Sequence, residues 1–181
     1  MSRLVNVFFD LDGVLAIYSK EDYIPPTTWD MPGSHYFANR PVDERALRML
    51  EAAMADERIT AWVISTITTP VNVRFEQMRD KVAWAMRVCS VPRDRVLVSP
   101  KAKSSVAKNV LERNLTRQDL LVDDWNQNLS DWRNHGGRAA KYLNGINEAA
   151  SWDADVLTGP KDLEALIGEI MEEIMRDGDD T

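Results

Sequence analysis

Cysteine is almost absent: Cys89 is the only one in 181 residues, which excludes an internal disulfide and, with no partner thiol, a cysteine-based zinc cluster. Histidine is nearly as scarce. His35 and His135 are the only two, and neither has a carboxylate or cysteine nearby in sequence at a zinc-site spacing. No apolar run approaches the roughly 18 residues of a membrane span, and the opening MSRLVNVFFD meets acidic residues too early for a signal peptide, so a cytoplasmic chain without a membrane segment is expected. Positive charge is in deficit. Twenty-two basic against 29 acidic residues give a net charge of −7, which argues against a general nucleic-acid coat or an anionic-membrane binder. Low complexity and internal repeats are missing too, while 44% hydrophobic and 28% charged residues match an ordinary globular chain of one domain.

What is present is an alternation of two periods. Residues 3–9 (RLVNVFF) form an apolar run that ends in Asp10-Leu11-Asp12-Gly13, which predicts a buried strand with two acids at its carboxyl tip. Residues 16–40 lapse into an irregular stretch containing Tyr18, Tyr23, Pro25, Pro26, Trp29, Pro32 and Gly33, read as a short covering insertion, or cap. From Pro41 to Glu57 the apolar positions recur at helical spacing. A strand over Ile59–Ile64, a helix over about 70–86, a strand over Arg95–Val98, a helix near Lys103–Arg113 and a strand over Leu120–Val122 follow. A short helix around Leu129–Asn134 stops at Gly136-Gly137, Arg138–Leu143 supplies a fifth strand, and Pro160–Met175 carries an apolar helical stripe. The pattern predicts one α/β domain over 1–175, a doubly wound parallel sheet of about five strands, with residues 176–181 as an acidic, disordered tail.

In such a sheet, ligands bind beyond the carboxyl ends of the strands. Asp10 and Asp12 follow the first strand, Ser65 and Thr66 the second, Lys101 and Lys103 the third, and Asp123 and Asp124 the fourth. Each signal alone is weak, since turns and helix caps favour Asp and Ser; their ordered recurrence is not. Carboxylates gathered in one crevice cannot all stay ionised without a cation, and an all-oxygen set points to Mg2+. With the metal holding a phosphoryl group, one Asp can attack phosphorus, a second can serve as acid and then base, Ser65 can donate to phosphate oxygens, and a lysine can neutralise the transition state.

The run FFDLDGVLA (Phe8–Ala16) resembles the first motif of the haloacid dehalogenase (HAD) superfamily, and Ser65, Lys103 and Asp123-Asp124 fall where its second, third and fourth motifs are expected. Asp10–Ala16, WVIST, LLVDDWNQNLSDW (Leu120–Trp132) and YLNGIN (Tyr142–Asn147) resemble more narrowly the 5'(3')-deoxyribonucleotidase branch. The resemblance implies a Rossmann-like core and a phosphoric monoester hydrolase. Asp10 would be the nucleophile that forms an aspartyl-phosphate, and Asp12 the general acid/base. Magnesium would be held by Asp10, the backbone carbonyl of Asp12 and Asp124, with Asp123 supporting Asp124 from behind. Ser65, the amides after it at Thr66, and Lys103 would hold phosphate. Lys103-Ser104 resembles the Lys-Ser/Thr pair of that branch and is favoured over Lys101.

Only about 25 residues separate Ala16 from the helix at Pro41, so any cap is short and the site open. A small phosphorylated substrate, foremost a nucleoside monophosphate, is expected; no membrane and no long nucleic acid is, and a homo-oligomer stays open. Two other readings stand beside it: a phosphatase acting on polynucleotide ends or other small molecules, and a phosphate-binding regulatory module without turnover. Trp29 and Trp125 are candidate stacking faces for a base, Trp62 and Trp84 are assigned to the core, His35 is a candidate loop contact to substrate, and His135 a helix-end residue.

Overall fold

The computed structural model describes residues 4–17, 33, 35–67, 71–146 and 151–179. Its elements run β1 (Val5–Asp10), α1 (Glu44–Ala55), β2 (Ile59–Thr66), α2 (Val71–Val88), β3 (Val96–Ser99), α3 (Lys103–Leu111), β4 (Asp119–Asp123), α4 (Asn126–Asn134), β5 (Arg138–Tyr142), β6 (Val156–Leu157) and α5 (Pro160–Asp179). All six strands are parallel, in the order β3-β2-β1-β4-β5-β6. The direction of winding reverses at β1. Its carboxyl end therefore opens beside that of β4, the place where doubly wound sheets leave a crevice.

Strand β1 is buried on both faces, as a central parallel strand must be, which is why its sequence reads as a continuous apolar run. Val5, Val7 and Phe9 face a core shared with Met49 and Leu50 of α1, Trp84 of α2, and Leu163, Leu166, Ile167 and Ile170 of α5. Phe8 faces the other way, into a smaller core with Ala107 of α3 and Leu129 and Trp132 of α4. The Phe8 ring stacks on Trp62 with centroids 5.7 Å apart and meets Trp132 edge-on at 5.0 Å. Such pairs add about 0.5–1.5 kcal/mol each beyond the area they bury. Gly137 makes this packing possible: a Cβ there would lie 2.2 Å from the Trp132 indole nitrogen, which donates to the Asp119 carbonyl at 2.9 Å.

The structure departs from the sequence expectations at several ends. Helix α1 starts after Pro41, because the Asp43 carboxylate accepts from the Arg45 and Ala46 amides at 2.9 and 3.3 Å and so caps the helix there. A sixth strand, β6, is only two residues long, too short for any periodicity to show. Trp84 is fully buried as expected, whereas Trp62 is only half-buried, its indole nitrogen donating to Asn6 Oδ1 at 3.2 Å. Helix α5 runs on to Asp179, through most of the segment expected as a tail. Its stripe of buried residues ends near Met171, and Arg176 in the last turn reaches back to the Glu172 carbonyl at 3.3 Å. Of the covering segment, residues 18–32 lie outside the described residues, Trp29 among them. Its two roots are joined: Ile17 donates to the Pro41 carbonyl at 2.9 Å, and Tyr36–Asn39 form a turn of 3-10 helix that buries Phe37. Among the described residues, no helix is long and apolar enough to cross a membrane.

Candidate active site

The register carries Asp10 alongside Ile64 of β2 and Phe9 alongside Val122 of β4, so the residues that follow β1, β2 and β4 emerge together at one end of the sheet. Gly13, at φ 85°, turns the chain back just after Asp12; its amide donates to the Ala16 carbonyl and Ala16 donates to Leu11, at 2.9 and 2.7 Å. This tight loop holds both aspartates over the strand tips.

Asp10, Asp123 and Asp124 are all buried, and they offer carboxylate oxygens that lie within 4.8 Å of one another. Lys103, the first residue of α3, is buried between two of them. Its ammonium lies 2.6 Å from Asp10 Oδ1 and 2.5 Å from Asp123 Oδ2. Lys101, by contrast, is exposed. Burial and the neighbouring Asp123 carboxylate push the Asp10 carboxyl well above its ordinary range, even with Lys103 pulling it down. Burial works against the Lys103 charge, but Asp10 and Asp123 outweigh it and raise the lysine above its ordinary value. The ammonium form is therefore secure.

Asp123 and Asp124 differ in their surroundings. Asp123 accepts from Lys103, from the Trp125 amide at 2.9 Å and from Asn128 Nδ2 at 3.0 Å, so its oxygens are largely engaged by the protein. Asp124 accepts from Asn144 Nδ2 at 2.7 Å, and the same nitrogen sits 2.7 Å from the Gly13 carbonyl, tying the loop after β5 to the loop after β1. Three buried carboxylates meet here, and such an all-oxygen donor set fits a hard divalent cation such as Mg2+.

The Asp12 carboxylate is turned away from this cluster. It accepts from Ser65 Oγ at 2.9 Å and from Lys81 Nζ at 2.5 Å. Lys81 also donates to Ser65 Oγ and to the Thr66 carbonyl at 3.0 and 2.9 Å, and the Phe37 ring covers it, 4.3 Å from its nitrogen. Lys81 was not among the residues picked from the sequence. The signal was there: Gln77, Asp80 and Lys81 lie on the buried stripe of α2 with Val73 and Trp84, where helical spacing calls for apolar side chains. Asn128, Asn144 and Phe37 were likewise missed. Trp125 stands 49% exposed directly after Asp124. His35 faces Asp80 of α2 at 3.0 Å, and His135 ends α4, its ring nitrogen 2.8 Å from the Asp131 carbonyl.

No family model matches the chain, and no curated protein does. Solved structures do. A protein described as a HAD-like phosphatase from Mesorhizobium loti superposes with a TM-score of 0.59 at 13% identity, over 93% of this chain and 86% of that one. A HAD-superfamily hydrolase from Ehrlichia chaffeensis gives 0.58 at 13% identity, over 94% and 99%. A D,D-heptose bisphosphate phosphatase from B. bronchiseptica, complexed with magnesium and phosphate, gives 0.57 at 14% identity, over 93% and 99%. The chain has the fold of the HAD-like phosphatases and hydrolases.

Proposed function

We propose that the protein is a magnesium-dependent phosphatase that works through an aspartyl-phosphate on Asp10, with nucleoside monophosphates as its leading substrates. The observation that carries the reading is the buried cluster of Asp10, Asp123 and Asp124 with Lys103 between Asp10 and Asp123. A magnesium ion held there would supply positive charge to the phosphoryl oxygens and let the carboxylates stay ionised together. Asp10, Asp124 and the Asp12 backbone carbonyl would hold it, and Asp123 fixes Lys103 and Asn128 behind them.

Asp10 attacks phosphorus with one carboxylate oxygen, the bond to the leaving oxygen breaks, and the Asp12 carboxyl gives that oxygen its proton. Asp12 then takes a proton from the water that hydrolyses the acyl phosphate, which frees inorganic phosphate and restores Asp10. Ser65, the Thr66 amide and Lys103 bind the phosphoryl oxygens; Lys81, already in contact with Ser65 and Asp12, adds a second ammonium on that side. The exposed Trp125 face next to Asp124 supports an aromatic leaving group such as a nucleoside.

Inorganic phosphate release across nucleotides, sugar phosphates and oligonucleotide ends, with and without magnesium, tests the proposal. Turnover of mononucleotides that stops in chelator and in Asp10→Asn is expected. Preference for a sugar phosphate or a polynucleotide end moves the substrate class, and phosphate binding without any turnover overturns the enzyme.

A further inference from the structure

Outside the Asp10 cluster, a second group of metal-ligating side chains comes together where the chain returns from the covering segment. Glu76 and Asp80 lie one turn apart on α2 and so share a face, and His35 approaches that face from the loop before the 3-10 turn. The three offer one imidazole nitrogen and two carboxylate oxygens that all lie within 4.8 Å of one another. His35 Nδ1 is already 3.0 Å from Asp80 Oδ2. Two donors on a tetrahedral zinc ion with bonds near 2.1 Å sit about 3.4 Å apart, so rotamer-scale adjustment closes the set.

The surroundings hold these donors in place and leave negative charge over. The Asp80 side chain is only 9% exposed, and its cationic neighbour is the Nε of the exposed Arg79, at 3.4 Å. Glu76 accepts from the Gly33 amide at 2.9 and 3.0 Å and from the His35 amide at 3.4 Å. Amide contacts of this kind orient a carboxylate yet use only part of its lone pairs. The loop is thus fastened to Glu76 by its backbone while its one imidazole reaches Asp80.

We propose that His35, Glu76 and Asp80 form a second cation site that takes a zinc-class divalent ion, distinct from the Asp10, Asp123 and Asp124 cluster. An imidazole nitrogen with two carboxylates suits zinc, and manganese less well, whereas magnesium favours oxygen donors and retains its waters. The ion clamps the turn at 35–39 onto α2 immediately beside Lys81, over which Phe37 from the same turn is stacked. No such pairing shows in the local sequence, because His35 is 41 and 45 residues from its two partners. The inference does not depend on the phosphatase reading.

The test uses the full chain, stripped by chelator, returned to saturating magnesium and titrated with Zn2+ against a chromophoric competitor, with thermal unfolding followed in parallel. One zinc per chain is expected, with a rise in melting temperature, while manganese binds more weakly. His35→Ala, at an exposed residue, weakens zinc at least tenfold and removes the thermal shift; Glu76→Gln does the same. Asp124→Asn leaves zinc affinity within threefold. Circular dichroism verifies that each variant is folded. A loss below tenfold in folded His35→Ala, or a larger loss in Asp124→Asn than in His35→Ala, overturns the site.

Discussion

Replacing Lys103 by Met keeps a long, flexible chain between β1 and β4 and removes only the ammonium. The Asp10 and Asp123 oxygens, now 2.6 and 2.5 Å from that nitrogen, then face each other in a buried pocket without a cation. Taking one partner from a buried ion pair costs about 3–5 kcal/mol, chiefly because the remaining charge is left desolvated. In a domain of this size each kcal/mol moves the melting temperature by about 2–4 °C, so a fall of roughly 6–20 °C is expected in chelator at neutral pH. The sign with pH follows from Asp10. Its carboxyl already stands above the ordinary range, and losing Lys103 raises it further, so acid neutralises the unpaired charge and shrinks the loss. Saturating magnesium should shrink it as well, by adding positive charge to the carboxylate cluster. Thermal unfolding of parent and variant, at neutral and mildly acidic pH with chelator or magnesium, measures all three effects. A melting temperature within about 2 °C of the parent at neutral pH in chelator, about a third or less of the smallest fall expected, refutes the electrostatic account. A loss that grows as pH falls refutes it too.

In phosphate release, Lys103→Ala should cost about 2–4 kcal/mol of barrier, roughly thirty- to a thousandfold, and the exposed Lys101→Ala little; the reverse pattern would reassign the lysine. Asp10→Asn should abolish turnover with the fold intact. Because the folded-state value of Asp10 is raised, its contribution to stability is complete below the unfolded value and is lost as pH rises through the folded one, so the variant should melt higher than the parent in chelator at neutral pH and lose that advantage in acid. Magnesium should raise the parent's melting temperature, and the shift should vanish in Asp124→Ala; loss in Asp123→Ala with retention in Asp124→Ala would exchange their roles. Cys89, buried and with its thiol pushed up to about 12 by burial and by Glu51, should resist alkylation until the protein unfolds, and rapid labelling of the native chain would contradict that.

The sequence made the strand tips legible because each central strand is an apolar run that ends abruptly in a polar residue, Asp10, Ser65 or Asp123, and both periods of the α/β pattern are long enough to count. Lys103 could be separated from Lys101 only as a preference, since burial decides it and burial comes from α3 packing over the sheet. The contacts of Lys81 and Asn144 were not legible, because they meet Asp12 and Asp124 across 69 and 20 residues; the sequence offered only a polar position on the buried stripe of α2 and a place inside YLNGIN. The same holds for His35, whose partners are set by how the chain returns to α2. Strand β6 is held in place by its pairing with β5 rather than by any pattern of its own.

The central place of β1 also governs the order in which the protein can form during synthesis. β2 can pair with one edge of β1 early, but the other edge waits for β4, and the Asn6 and Asp119 side chains that bond at its foot are 113 residues apart. Until then the nascent chain carries an apolar strand with a bare edge, a template for pairing with the wrong chain. A chain halted between α3 and β4 has made Asp10 and Lys103 but not Asp123, so the carboxylate that fixes the ammonium from the far side is missing. The pairing that closes the last open edge of the central strand thus also brings Asp123 to the Lys103 ammonium, because the pairing residues and Asp123 both belong to β4.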